Sequence, residues 1–159
     1  MEPEIVNLGQ FDIIGVEMKT ITRDGRNFIE IPLFWEKILQ EGLIETIPGC
    51  KQPGTMLGIC LDFNPDNSFT YIIGCDVMRC EKPPENMVCR SIPSAHYAVF
   101  TAIGKMPQTI QSMVKHIYNE WLPNSDYQRV DAADFELYDE RCQDADNPAV
   151  DIYFPIVPV

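Results

Sequence analysis

The residues with the clearest chemical potential lie in the stretch Phe135-Glu136-Leu137-Tyr138. Side chains alternate between the two faces of a β-strand, so Glu136 and Tyr138 point one way while Phe135 and Leu137 point the other. Glu136 is either a solvated carboxylate on a strand or a carboxylate held in an aromatic pocket. In a pocket its charge costs several kcal/mol unless it is paired, and its pKa rises. A cationic ligand would relieve that cost, and each neighbouring ring would add roughly 0.5–2 kcal/mol by cation–π attraction.

Other catalytic and metal-binding patterns are missing from the sequence. It has no GxGxxG, P-loop, HExxH or GxSxG motif, so we expect no catalytic residue and no cofactor. His96 and His116 lack metal-ligand spacing and are expected to be structural or surface residues. No two cysteines have CxxC spacing, so we expect reduced structural thiols rather than a metal site or a disulfide framework. The six cysteines are Cys50, Cys60, Cys75, Cys80, Cys89 and Cys142.

The net charge of the chain limits the classes of molecule that it can be expected to bind. Its 159 residues include 24 acidic and 12 basic side chains, for a formal net charge of -12. Because affinity for DNA depends on clustered Lys and Arg, we expect no direct nucleic-acid partner, and a cation or a basic protein surface fits better. The N-terminus lacks the basic start of a signal peptide, and no apolar run approaches the ~20 residues that span a bilayer. We therefore expect a cytoplasmic protein with no membrane partner.

The first half of the chain predicts a strand, a helix and two further strands. Residues 4–20 have the composition of extended structure, and an Asp-Gly turn follows them. Apolar residues then recur three and four apart, which indicates a helix that stops at Gly42. We expect this helix to begin near Asn27 or near Ile31, and Pro32 would suit the first helical position if the regular helix begins there. Two strands over 56–63 and 69–77, joined by a five-residue hairpin connection, complete this half.

The second half repeats that order. Residues 87–103 are expected to be extended, a helix covers about 106–122, and two strands follow over 134–140 and 150–157. Strand–helix–strand–strand therefore occurs twice, with no matching identity between the two copies.

This repeated pattern predicts the α+β fold class. We expect one domain over 1–159, built from two pseudo-twofold-related units of about 1–80 and 85–159. Their strands would form a central antiparallel sheet with the helices on one face. The junction of the two units would leave a cleft, which is a common place for a ligand pocket.

Short motifs recur in order along the chain. In the second half they are HYAVF at 96–100, Gly104, EWLPNS at 120–125, FELY at 135–138 and DIYFPI at 151–156. The first half adds Gly15 and IPLFW at 31–35. Together these residues resemble the GyrI-like family, the effector-binding domains attached to AraC-type and MerR-type multidrug-responsive regulators.

The resemblance implies a function and a site. Members of this family have the two-unit α+β fold and bind hydrophobic or cationic compounds in a cleft between the units. The glutamate that matches Glu136 often lies at the base of the cleft, and Tyr153 matches an aromatic lining position. One departure is Asp151, where many members have Glu. The further candidate ligand-binding residues are Trp35, Phe34, Tyr71 and Tyr138.

Three functions stay open at this point. The first is a small-molecule binding protein for hydrophobic and cationic compounds, related to transcription regulation and not an enzyme. We expect it to stand alone, like members encoded on mobile gene cassettes, because no helix-turn-helix segment accompanies it. The second, which the resemblance implies because some GyrI-like proteins are hydrolases, is hydrolysis of electrophilic small molecules, with Glu136 and either Tyr138 or Tyr153 as an acid–base pair. The third, which the resemblance implies because some relatives act on DNA gyrase, is inhibition of that enzyme by an acidic surface. The candidate protein partners are thus a DNA-binding regulator or gyrase.

Overall fold

The computed structural model describes residues 2–159 of the chain. This range contains nine β-strands and two main helices. The strands are β1 (Glu4–Leu8), β2 (Phe11–Ile21), β3 (Met56–Leu61), β4 (Ser68–Val77), β5 (Val88–Ile92), β6 (Ala95–Ile103), β7 (Tyr127–Arg129), β8 (Asp134–Tyr138) and β9 (Ala149–Pro158). The helices are α1 (Arg26–Glu41) and α2 (Gln108–His116), and α2 continues through a π-helical stretch (Ile117–Trp121) and a last turn (Leu122–Asn124). Within these residues neither helix is long and apolar enough to cross a membrane.

The strands form one antiparallel sheet in the order β1-β6-β9-β8-β3-β4-β2-β5, and β7 pairs with the C-terminal end of β9. The order β6-β9-β8 in one half corresponds to β2-β4-β3 in the other. The two halves are therefore related by a pseudo-twofold axis that passes between β8 and β3. The predicted α+β architecture, with strand–helix–strand–strand occurring twice, is confirmed.

Both helices cover the same face of the sheet, as predicted. Ile38 of α1 is buried with Tyr71 and Ile73 of β4. Ile117, in the π-helical stretch, is buried with Phe100 of β6. Burial of each such side chain contributes about 1.5–3 kcal/mol. Each helix thus covers one half of the sheet, and the centre of this face, over β3 and β8, stays uncovered between them.

The opposite face of the sheet buries a core of its own. Phe135 of β8 packs against Phe11 of β2 with ring centroids 5.6 Å apart, and against Tyr97 of β6 at 5.3 Å. Two strands separate β2 from β8 in the sheet, so the sheet must curl to bring these rings together. The hydroxyl of Tyr97, which is buried in this core, donates to the carbonyl of Ala133 at 3.2 Å.

Helix α1 begins at the earlier of the two starts that the sequence leaves open. Its first residue is Arg26, next to the predicted start at Asn27, so Pro32 lies inside the helix and not at its first position. Glu30 explains the early start, because it pairs with Arg26 at 3.2 Å and accepts a hydrogen bond of 2.6 Å from Thr20 of β2. These contacts tie the turns ahead of the proline to the sheet. Gly42 ends the helix as predicted, with a left-handed φ of 63°.

Two details of the second half also differ from the prediction. The extended segment over 87–103 divides into β5 and β6, and the short strand β7 was not predicted. A strand of three residues offers too few positions for an alternating pattern to reveal it.

Cys80 and Cys89 are joined by a disulfide, with Cα atoms 5.7 Å apart. The expectation of reduced thiols is therefore wrong for this pair. Both cysteines adjoin the same part of β2, since Cys89 pairs with Ile14 and the Sγ of Cys80 lies 3.7 Å from the carbonyl oxygen of Ile13. Sequence spacing could not reveal this cysteine pair, because the two residues meet only when β5 pairs with β2 in the folded sheet. The free cysteines are Cys50, Cys60, Cys75 and Cys142.

Candidate ligand-binding site

A cavity of about 640 Å³ opens between α1 and α2, above the centre of the sheet. Phe28, Ile31 and Trp35 of α1 form one wall, and Ile110 and Val114 of α2 form the other. Side chains of β3, β8 and β9 form the floor. Most of the lining residues are apolar, which suits a hydrophobic ligand.

The floor takes its polar groups from β3 and β8, the strands where the two halves meet. Gly58 pairs directly with Glu136, and Cys60 pairs with Asp134. Because alternate residues of a strand face the same side, Asp134, Glu136 and Tyr138 all border the cavity. The alternation predicted for Glu136 and Tyr138 is confirmed.

Two tyrosine hydroxyls hold the carboxylate of Glu136. Tyr138 Oη donates to Glu136 Oε1 at 2.7 Å, and Tyr71 Oη donates to the same oxygen at 3.0 Å. Tyr71 in turn accepts a hydrogen bond of 2.8 Å from Trp35 Nε1. Since Tyr71 is 0% exposed, its ring cannot turn away, and this network fixes the position of the carboxylate.

The charge of Glu136 has no basic partner among the ion pairs of residues 2–159. Burial raises the pKa of Glu136 to about 7; the hydrogen bonds from Tyr138 and Tyr71 act to lower it, and the nearby charge of Asp134 raises it. At neutral pH the group is therefore divided between its ionised and protonated forms. A cation bound beside it would favour the ionised form.

A second carboxylate in the cavity, Asp134, is paired. Nη2 of Arg129, in β7, lies 3.0 Å from Asp134 Oδ2, and the two side chains are 20% and 23% exposed. Burial raises the pKa of Asp134, while the Arg129 charge lowers it. Glu36 of α1 also borders the cavity, but it is exposed, so its charge is screened by solvent.

Aromatic rings surround the carboxylate of Glu136. The rings of Trp35 and Tyr138 pack with their centroids 4.5 Å apart. Phe63 and Phe154 also border the cavity. Aromatic faces attract cations, so this lining and the carboxylate favour the same kind of ligand.

The structure brings together most of the residues that the sequence singled out. Glu136, Trp35 and Tyr138 line the cavity. Tyr71 lies beneath them, with its hydroxyl bonded to Glu136. Phe34 packs against the Tyr71 ring, with centroids 6.5 Å apart, rather than into the cavity.

Tyr153 lies on the opposite face of the sheet, so the prediction that it lines the same cleft as Glu136 is wrong. It pairs with Phe135 of β8, and the two rings stack with centroids 4.5 Å apart. Tyr153 borders a separate cavity of about 350 Å³ on that side. Asp151 is on the same face as Tyr153, and its Oδ2 pairs with Arg141 Nη2 at 2.7 Å.

Sequence reasoning missed Gly58 and Arg129. A Cβ atom at Gly58 would lie 3.0 Å from Glu136 Oε1 and closer still to Tyr71 Oη, so the glycine leaves the space that their hydrogen bond occupies. Glycine within a strand often marks such a close approach, so this signal was present in the sequence. Arg129 gave no comparable signal, because only the folded sheet brings it to Asp134.

The chemical capacity of the site follows from its groups. Within residues 2–159 no three His, Cys, Asp or Glu side chains come together as a metal site. The carboxylate of Glu136, with a pKa of about 7 and two hydroxyls at hydrogen-bonding distance, can face a cation or take up a proton.

The family profile described as "Integron-associated effector binding protein" matches residues 4–156 of the chain. The transcriptional regulator BrlR of Pseudomonas aeruginosa is 31% identical over 158 residues, which cover 98% of this chain and 56% of BrlR. The chain thus spans about half the length of this curated relative.

Solved structures share the fold. The structure of SAV2435 bound to tetraphenylphosphonium superposes with a TM-score of 0.82 at 20% identity, covering 99% of this chain and 94% of that one. An integron cassette protein from the mobile metagenome of Vibrio cholerae gives a TM-score of 0.71 at 21% identity, covering 98% of this chain and 96% of that one.

Proposed function

The chain belongs to the family of integron-associated effector binding proteins, and from that premise we propose that its effectors are aromatic, lipophilic cations bound between α1 and α2. One observation carries this proposal. Glu136 holds a carboxylate on the floor of a largely apolar cavity, and its hydrogen-bond partners are two tyrosine hydroxyls rather than a basic side chain.

A buried carboxylate that has no basic partner carries an electrostatic cost. Removing an ionised group from water costs several kcal/mol, and proteins usually offset that cost with a paired charge. A ligand cation about 4 Å away would supply roughly 4 kcal/mol of attraction at an effective dielectric constant of about 20. The raised pKa of Glu136 indicates that this cost is present in the free protein.

The lining supports an aromatic cation over a small, hydrated one. Trp35 and Tyr138 present their rings beside the carboxylate, and each ring would add about 0.5–2 kcal/mol to the binding of a cation. Apolar walls would favour a ligand with hydrophobic substituents. The ligand of SAV2435, tetraphenylphosphonium, has this chemistry, and it is therefore our probe for this chain.

Isothermal titration calorimetry with two ions of one shape tests the proposal. Tetraphenylphosphonium and tetraphenylborate have similar size and opposite charge, so their affinities differ mainly through electrostatics. We expect the cation to bind far more tightly at pH 8, and Glu136→Gln to weaken it about 10–100-fold while leaving the anion unchanged or tighter. Glu36→Gln, at the exposed edge of the same cavity, is the matched control and should change neither affinity appreciably.

Two results would contradict the proposal. One is equal binding of the two tetraphenyl ions by the natural protein. The other is an equal loss of affinity for both ions in Glu136→Gln, since that would assign Glu136 a purely structural role.

Hydrolysis of an electrophilic small molecule is a second candidate, and one observation favours it. A carboxyl group with a pKa of about 7, hydrogen-bonded to a tyrosine hydroxyl at 2.7 Å, is a suitable general base near neutral pH. Glu136 would take a proton from the water molecule that attacks the electrophilic carbon, and Tyr138 would give its proton to the leaving oxygen and recover one from Glu136. Formation of a diol from an epoxide by the natural protein, abolished in Glu136→Gln, would favour this function over binding alone.

We also propose that a DNA-binding regulator is the protein partner that senses the bound effector. The likeness to BrlR, a transcriptional regulator of which this chain matches about half, supports such a partner. The expected result is a complex whose DNA affinity, measured by fluorescence anisotropy, changes when tetraphenylphosphonium is added.

A further inference from the structure

Asp134 and Glu136 place two carboxylates on one face of β8. They are two residues apart on the strand, and both border the cavity. Since a strand rises about 3.3 Å per residue, their backbones lie roughly 7 Å apart. Two unpaired carboxylates at that spacing would suit a ligand with two positive charges.

Arg129 removes one of these charges. Its Nη2 contacts Asp134 Oδ2 at 3.0 Å, and it approaches from β7, which pairs with β9 at the edge of the floor. Asp134 and Arg129 together carry no net charge. The carboxylate of Glu136 is left without a basic partner among residues 2–159.

Arg129 is held in place by further contacts. Its Nη1 donates to the carbonyl of Val130 at 2.9 Å, and its Nη2 donates to the carbonyl of Ala132 at 3.2 Å. Its guanidinium lies over the ring of Phe63 at 4.8 Å and near the ring of Phe154 at 5.7 Å. A second ligand cation could not readily displace a guanidinium fixed by two carbonyls and two rings.

We propose that Arg129 makes the cavity selective for singly charged ligands, because it neutralises Asp134 and leaves Glu136 as the buried carboxylate that meets the cation. This inference rests on the proposed function and specifies its ligand class. A dication would satisfy one charge at Glu136 and bury the other beside a neutral ion pair, where its lost hydration is not compensated.

Three ligands of nearly equal shape show whether the cavity prefers no charge, one charge or two charges. Methylbiphenyl is neutral, N-methyl-4-phenylpyridinium carries one charge, and methyl viologen carries two charges at opposite ends of a rigid biaryl. Calorimetry at pH 8 gives the affinity of each. For the natural protein we expect the single cation to bind most tightly and the dication at least about tenfold more weakly than the single cation.

Arg129→Gln is the decisive variant. It leaves Asp134 unpaired, so the ratio of dication to single-cation affinity should rise by at least about tenfold. The double variant Arg129→Gln/Asp134→Asn should return the ratio to that of the natural protein. Arg141→Gln, which disrupts an arginine–aspartate pair on the other face of the sheet, is the matched control and should leave the ratio unchanged.

Asp134→Asn keeps the test decisive if Arg129→Gln does not fold. It leaves the Arg129 charge uncompensated beside the cavity, so the affinity for the single cation should fall by about tenfold although Glu136 is intact. An unchanged affinity in that variant, or an unchanged dication-to-single-cation ratio in folded Arg129→Gln, would overturn the role of Arg129 alone. Failure of the natural protein to prefer the single cation over methylbiphenyl would overturn both this inference and the proposed function.

Discussion

Gly58 and Glu136 face each other across β3 and β8, the two neighbouring strands at which the halves of the sheet meet. The absence of a side chain at Gly58 leaves room for Tyr71 Oη to reach Glu136 Oε1. The buried carboxylate therefore depends on a residue that has no functional group. The site lies where the two halves of the sheet meet, and the Tyr71–Glu136 hydrogen bond can form there only because residue 58 has no side chain.

Gly58→Ala tests that dependence. The added methyl group would overlap the hydroxyl of Tyr71, whose buried ring cannot move aside, so the hydrogen bond to Glu136 should break. We expect a loss of about 1–3 kcal/mol in the free energy of unfolding and weaker binding of tetraphenylphosphonium. Urea denaturation and calorimetry measure the two effects.

The matched control for that variant is Gly9→Ala. A Cβ atom at Gly9 would have no atom within 4 Å, so its stability should change by less than about 0.5 kcal/mol. Equal effects of the two substitutions would contradict a specific role for the space at Gly58.

The affinity for a cation should depend on pH through Glu136. Its pKa is about 7 in the free protein and must be lower when a cation lies beside it, so protonation competes with binding. Binding of tetraphenylphosphonium should be about tenfold weaker at pH 6 than at pH 8 and level above pH 8. The pKa values of Tyr71, Tyr138 and Cys60 are raised well above their ordinary values, so these groups stay neutral over this range. Binding of tetraphenylphosphonium that is equally tight at pH 6 and pH 8 would contradict this assignment.

Glu136→Gln should stabilise the folded protein at high pH. Burial raises the folded-state pKa of Glu136 above its unfolded value, so the folded state holds the extra proton below pH 7 and loses that advantage as the pH rises through 7. Above pH 7 the buried, ionised carboxylate destabilises the folded state, and glutamine carries no such charge. The stability difference between the variant and the natural protein should therefore shift in favour of the variant by about 3 kcal/mol from pH 4.5 to pH 8. Urea denaturation at both pH values checks this, with exposed Glu36→Gln as the control, and a gain that is independent of pH would refute it.

Tyr71→Phe and Tyr138→Phe should differ in their cost. Both remove a hydrogen bond to Glu136, so both should raise its pKa and move the midpoint of cation binding to higher pH. Tyr71→Phe also leaves Trp35 Nε1 without its acceptor, an added loss of about 1–3 kcal/mol in stability and a change in tryptophan fluorescence. Equal stability and unchanged emission in the two variants would show that the Trp35–Tyr71 bond contributes nothing.

Features of the site that depend on one strand alone could be predicted from the sequence. Features that depend on how neighbouring strands align could not. Alternation along one strand was enough to place Glu136 and Tyr138 on one face. Tyr153 was assigned to the wrong face because its orientation depends on how β9 aligns with β8, and a shift of one residue reverses every side chain. The family resemblance offered Tyr153 as an aromatic lining position but did not fix that register.

The helices and loops likewise have local features that the sequence predicts and long-range contacts that it does not. The amphipathic pattern of α1 correctly predicted a helix carrying Trp35, but it did not fix the rotation that turns Phe34 toward Tyr71. The pattern left open a start near Asn27 or near Ile31, and contacts of Glu30 with Thr20 and Arg26 favour the earlier one. Arg129 and the Cys80–Cys89 pair both depend on contacts between distant segments, which no local pattern encodes.

The most direct measurement is a carbon NMR titration of the Glu136 side-chain carboxyl, assigned by comparison with Glu136→Gln, with and without tetraphenylphosphonium. In the free protein the carboxyl resonance should titrate with a midpoint near pH 7, and saturation with the cation should move that midpoint down. A midpoint near 4.5 in the free protein, or one that the cation leaves unchanged, would contradict the account of Glu136 as a buried counter-charge for a cationic effector.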